Sequence, residues 1–96
     1  MEDGTYNQAR QPVTHESGFQ VGLWTTTTNA ENIENVIKTI TRTWSGEWGI
    51  WTDSNTSEIF VEPCVWLPSL DVALAVGALY EQRTVWSWVL MGEVEV

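Results

Sequence analysis

Positive charge is scarce in this chain: four Lys and Arg stand against 13 Asp and Glu in 96 residues, a formal net charge of −9. Binders of nucleic acid draw most of their affinity from basic side chains on phosphates, and Arg10, Lys38, Arg42 and Arg83 are too few and too scattered for such a footprint. The same excess disfavours an anionic membrane surface. Cysteine and histidine occur once each, as Cys64 and His15. Neither an internal disulfide nor a zinc site can be built from them, which agrees with a reducing compartment. Glu31/Glu34 and Glu93/Glu95 have no third ligand near them in sequence, so no metal, cofactor or catalytic residue is expected. No run of about 18 apolar residues occurs, and the acidic start Met1-Glu2-Asp3-Gly4 does not resemble a leader with a basic flank and an apolar stretch. The expectation is a soluble, cytoplasmic protein.

What is abundant is apolar and aromatic. Hydrophobic residues make up 43% and charged ones 18%, the composition of one folded domain. There are seven Trp, and rings of that size belong in a core or an interface. Residues 1–17 are polar and without period and read as an N-terminal arm; residues 18–96 read as a single α+β domain.

Within that domain Phe19, Val21 and Leu23 alternate with polar or small residues, predicting a strand to about Thr26. Thr28 and Glu31 have capping-box spacing. A helix is expected to follow, with Ala30, Ile33, Val36, Ile37, Ile40 and Trp44 on one face and Gly46 as its stop. Alternation resumes over 47–53, the turn formers Asp53 to Ser57 predict a hairpin, and a strand runs from Glu58 to about Leu67. Pro63 lacks an N–H, so a bulge or an edge position is expected there. Ser69 caps a second helix, Leu70 to Tyr80, apolar almost all round. Thr84 to Val96 reads as a last strand with a bulge at Gly92. The order β-α-β-β-α-β is that of a ferredoxin-like fold, a four-stranded antiparallel sheet with both helices on one face.

Such a layout leaves the other sheet face open. With Phe19, Val21, Leu23, Ile50, Ile59, Val61 and Val65 toward the helices, Trp24, Trp51, Phe60 and Trp66 point away. An exposed patch with three or more Trp exceeds what soluble monomers carry, so a homodimer or another partner is expected. Trp51 and Trp66 are the expected aromatic anchors. Glu47, Asp53, Glu58 and Glu62, with Glu31 and Glu34 of the first helix, are the expected negative groups. Carboxylates so placed present the sign of charge that phosphates do and can occupy a basic groove on another protein. The competing expectation is a dimeric ferredoxin-like small-molecule-binding module or cofactor-free oxygenase with a Trp-lined pocket.

Two resemblances add to this. The stretch from Ser69 to Trp86, with Leu70, the alanines, Gly77, Tyr80 and Gln82, resembles the C-terminal motif of a bacterial and phage family of unknown function. It departs from that family at Glu81, where a second glycine is usual, and it implies no activity. In general character, small, acidic and without catalytic motifs, the chain looks like phage-encoded anti-defence proteins such as anti-CRISPR and anti-restriction inhibitors. That likeness implies stoichiometric, non-enzymatic inhibition of a nucleic-acid-handling complex in a host cell's cytoplasm, through a basic surface of that complex.

Overall fold

The computed structural model describes residues 1–96. The chain forms β1 (Gly4–Tyr6), β2 (Pro12–Val13), β3 (Phe19–Gly22), β4 (Thr26–Thr28), α1 (Ile33–Thr43), β5 (Glu47–Thr52), β6 (Ile59–Leu67), α2 (Leu70–Leu79), β7 (Thr84–Ser87) and β8 (Gly92–Glu95). All pairings are antiparallel and join one eight-stranded sheet in the order β2-β1-β5-β6-β3-β7-β8, with β4 also paired to β6. The fold is α+β, but the four-stranded, ferredoxin-like sheet expected from the sequence is not what forms. Each of the four additional strands has a local cause.

Residues 1–17 carry two of them. β1 pairs with β5 and β2 with β1, through a turn in which the Asn7 side chain accepts from the Gln11 N–H at 3.0 Å and Arg10 adopts φ 65°. A third arises because the first expected strand divides into β3 and β4. The Pro63 carbonyl accepts from the Leu23 N–H at 2.9 Å. A strand residue directs its N–H and C=O to the same side, so the missing proline N–H falls on this neighbour, where the ladder is interrupted between Gly22 and Thr26. Pro63 therefore sits inside a central strand by breaking its neighbour. The fourth comes from 84–96, which folds as a hairpin: after Ser87 the Trp88 N–H turns to the Gly18 carbonyl, Ser87 Oγ accepts from the Leu90 N–H, and Met91 takes φ 51°.

The helices also differ in detail from expectation. Thr28 ends β4 and makes no capping box. Asn29 Oδ1 accepts from the N–H groups of Glu31 and Asn32 at 3.1 and 2.9 Å, and α1 starts at Ile33. Ser69 does cap α2, its hydroxyl accepting from the Val72 N–H at 3.4 Å.

Both helices cover the same sheet face. Under α1, Ile37 and Ile40 pack with Tyr6, Trp48, Ile50 and Val61; under α2, Ala73 packs with Val21 and Val85. Val61 and Val65 lie four residues apart on β6 and so face the same way, and Val65 pairs with Val21. Trp48 is fully enclosed there, and its indole N–H donates to the Asn7 carbonyl at 3.0 Å. Burial of side chains this large stabilises by about 2–3 kcal/mol each, and it ties the N-terminal hairpin to α1.

Candidate functional site

The sheet face turned away from the helices is built from the alternate residues of each strand: Thr5, Glu47, Gly49, Trp51, Phe60, Glu62, Cys64, Trp66, Gln20, Gly22, Trp86 and Glu93. Trp51, Phe60 and Trp66 are there as the alternation predicts, and Trp86 joins them. Trp24 is not, because the chain leaves the ladder after Gly22 and its ring meets Trp44, at the end of α1, edge-on at 6.2 Å.

A cleft of about 800 Å³ crosses this face. Its floor is low where Gly49 and Gly22 lie, and a Cβ on Gly22 would come within 2.6 Å of the Glu62 carboxyl, which rests over that glycine. The Gln20 amide and the Thr5 hydroxyl bond each other across the floor at 2.9 Å. Glu62 accepts from the Thr25 hydroxyl at 2.9 Å. Burial nevertheless pushes its carboxyl above the ordinary carboxylate value, the hydrogen bond opposing. Four carboxylates line the cleft, from Glu2, Asp3, Glu62 and Glu93, together with Trp51, Trp86 and Trp88, and no Lys or Arg does.

One end of the face is closed by its own chain. His15 stacks on Trp66 at 5.4 Å and 25°, meets Trp88 edge-on at 5.4 Å, and donates from Nε2 to both Glu47 carboxylate oxygens at 2.9 and 3.1 Å. Trp66 Nε1 donates to the Ser17 carbonyl at 2.8 Å, holding the same segment down. Read from sequence, His15 is a solvated arm residue with no partner; its partners lie 32 to 73 positions away, where no spacing rule reaches. Cys64 is buried beneath. Desolvation, with the Glu47 and Glu62 carboxylates adding, pushes its thiol well above the ordinary range, so it remains a protonated, apolar packing group. The indole N–H of Trp88 is the one buried side-chain polar group without a partner.

The acidic residues expected to act together are dispersed. Glu47 and Glu62 are on the open face, as are both expected anchors, Trp51, stacked on Phe60 at 4.2 Å, and Trp66. Asp53 and Glu58 sit at the far end of β5 and β6, where Asp53 Oδ1 accepts from the Asn55 N–H at 2.8 Å and the Asp53 N–H donates to the Glu58 carbonyl. Glu31 precedes α1, and Glu34 on α1 is engaged by Arg10 at 2.8 Å, whose guanidinium holds its carboxyl below the ordinary value. Glu2, Asp3 and Glu93 complete the acidic cleft and were missed, because strands β1 and β8 were not recognised as such.

No family model, curated protein or solved structure matches the chain. Shape, aromatic surface and charge all suit a cationic occupant: indole faces attract cations, carboxylates pair with them, and the cleft walls concentrate the field of both. No group of three or more His, Cys, Asp or Glu is placed to hold a metal ion. No helix is long and apolar enough to cross a membrane.

Proposed function

We propose that the chain is a non-enzymatic binding protein that occupies a basic, nucleic-acid-handling surface of another protein complex, in a host cell's cytoplasm, and thereby inhibits it. The observation that carries this reading is the composition of the cleft, four carboxylates and three Trp with no basic residue. The chain's own cations support it by their positions. Arg10 is committed to Glu34, Lys38 and Arg42 are on α1, and Arg83 lies between α2 and β7 outside the cleft. The acting acids are then Glu2, Asp3, Glu62 and Glu93, more than Glu31, Glu34, Asp53 and Glu58. The same reading keeps the chain as a homodimer, through the outer side of α2 and not through the cleft.

The test is affinity capture from a bacterial lysate with the tagged protein, eluted on a salt gradient. The wild type is expected to retain a basic nucleic-acid-binding complex in stoichiometric amount and to release it at moderate salt. The Asp3→Lys/Glu93→Lys variant is expected to lose it, and the Glu31→Lys/Glu58→Lys variant to keep it. Equal capture by both variants sinks the reading.

A second reading has one observation in its favour. A cleft of about 800 Å³ is within the size range of small-molecule sites, so a neutral aromatic ligand is the competing occupant. Saturable quenching of Trp fluorescence by uncharged aromatic compounds, unaffected by salt, would favour it.

A further inference from the structure

We infer that the cleft recognises arginine in preference to lysine, one guanidinium lying on the Trp86 indole and pairing with the Glu93 carboxylate. This rests on the reading of the open face as a surface for a basic partner, and it names the chemistry by which that partner is held.

The chain itself displays this chemistry once. The planar ring of His15 is stacked on the Trp66 indole while its N–H meets both oxygens of Glu47. A flat nitrogen donor held between an indole and a carboxylate is thus a stable arrangement on this face. Trp86 and Glu93 offer the same two partners farther across the sheet, with β3 between Trp86 and Trp66. They are cross-strand partners on the same side of the β7–β8 hairpin, both line the cleft, and Trp86 stands at 83° to Trp88, its ring 6.2 Å away. The resemblance ends at the third member. Glu93 makes no hydrogen bond or ion pair within the chain, and no cation of this protein lines the cleft to supply one. A guanidinium fits because it is planar, weakly hydrated and able to stack and bond a carboxylate with two N–H groups at once, whereas an ammonium is compact, strongly hydrated and cannot stack. Glu62, partly buried in the same cleft, adds negative potential without competing for the exposed position.

The experiment is fluorescence anisotropy with two labelled decapeptides, one of arginine and one of lysine, titrated with the intact protein at the same ionic strength. The arginine peptide is expected to bind about tenfold more tightly. Trp86→Ala and Glu93→Gln are each expected to weaken it about fivefold, leaving lysine-peptide affinity within twofold, and Trp24→Ala, on the other side of the molecule, to change neither. Circular dichroism verifies folding; Glu93 is exposed on an edge strand, so Glu93→Gln carries the test if Trp86→Ala does not fold. Equal affinity for the two peptides, or equal loss for both in the variants, overturns the arginine site and leaves the acidic-face reading standing. Binding of neither peptide overturns both.

Discussion

Glu81 occupies a position that its geometry assigns to glycine. Its N–H donates to the Ala78 carbonyl, the next N–H, of Gln82, donates to the Gly77 carbonyl, and its φ is 57°. This is a Schellman turn at the end of α2 with Glu81 at the left-handed position, where a side chain costs about 1 kcal/mol. A side chain in this left-handed conformation makes Glu81 a site of backbone strain. Glu81→Gly is expected to raise unfolding free energy by about 0.5–1 kcal/mol, read from urea midpoints at unchanged slope. Glu62 illustrates a different cost. Its carboxyl binds a proton more tightly folded than unfolded, so it favours the fold at low pH, and that contribution is lost as pH rises through the raised folded value. Glu62→Gln is therefore expected to melt at a higher temperature than the wild type at pH 7 and at the same temperature near roughly pH 3. A melting difference that persists at the lower pH would trace the effect to packing and not to ionisation.

At the scale of elements, α1 is held by what it covers. Val36, Ile37, Thr39, Ile40, Thr41 and Thr43 are β-branched and weak helix formers, and the hydroxyls of Thr39, Thr41 and Thr43 each donate back to the carbonyl four residues earlier, at 2.9 Å. Ile37 is 1% exposed, and Ile37→Ala is expected to cost about 3 kcal/mol, measured by urea unfolding. Periodicity in the sequence made this helix, β5 and β6 legible, because each repeats its apolar positions over two turns or three alternations, whereas α2, apolar all round, was marked by its Ser69 cap. Periodicity failed where the chain changes direction without turn chemistry. Trp88, Val89, Leu90 and Met91 contain none of the usual turn formers, so the β7–β8 hairpin read as one strand. Likewise β1 and β2, three and two residues long, are too short to show a period. Alternation placed Trp51, Phe60 and Trp66 on the open face, but it misplaced Trp24, which lies beyond the break in the ladder, and did not reach Trp86. The acidic part of the cleft was not legible, since two of its carboxylates precede β1 and a third lies on β8.

For the molecule as a whole, the two proposed associations respond oppositely to salt. A partner held by the acidic cleft is released as salt screens attraction. Two copies of a chain with net charge −9 repel, and salt relieves that repulsion. The outer side of α2 exposes Val72, Leu79 and Tyr80 at 47%, 76% and 44%, and this apolar surface, outside the cleft, is where copies are proposed to meet. Sedimentation equilibrium is expected to show a dimer that tightens between about 50 and 500 mM salt, and Leu79→Glu to be monomeric with little change in melting temperature. A monomer at both salt concentrations would remove the dimer from the proposal.

The two rims of the sheet decide how far any assembly can grow. On β2 the outermost strand is only two residues, one of them Pro12, which has no N–H to offer a newcomer. The opposite rim, β8, carries Glu93 and Glu95 on the same side of the strand, so a second β8 laid against it would bring carboxylates together. Exposed strand edges ordinarily recruit further strands. A proline at one margin and two like-charged carboxylates at the other both oppose the addition of a further strand to either rim.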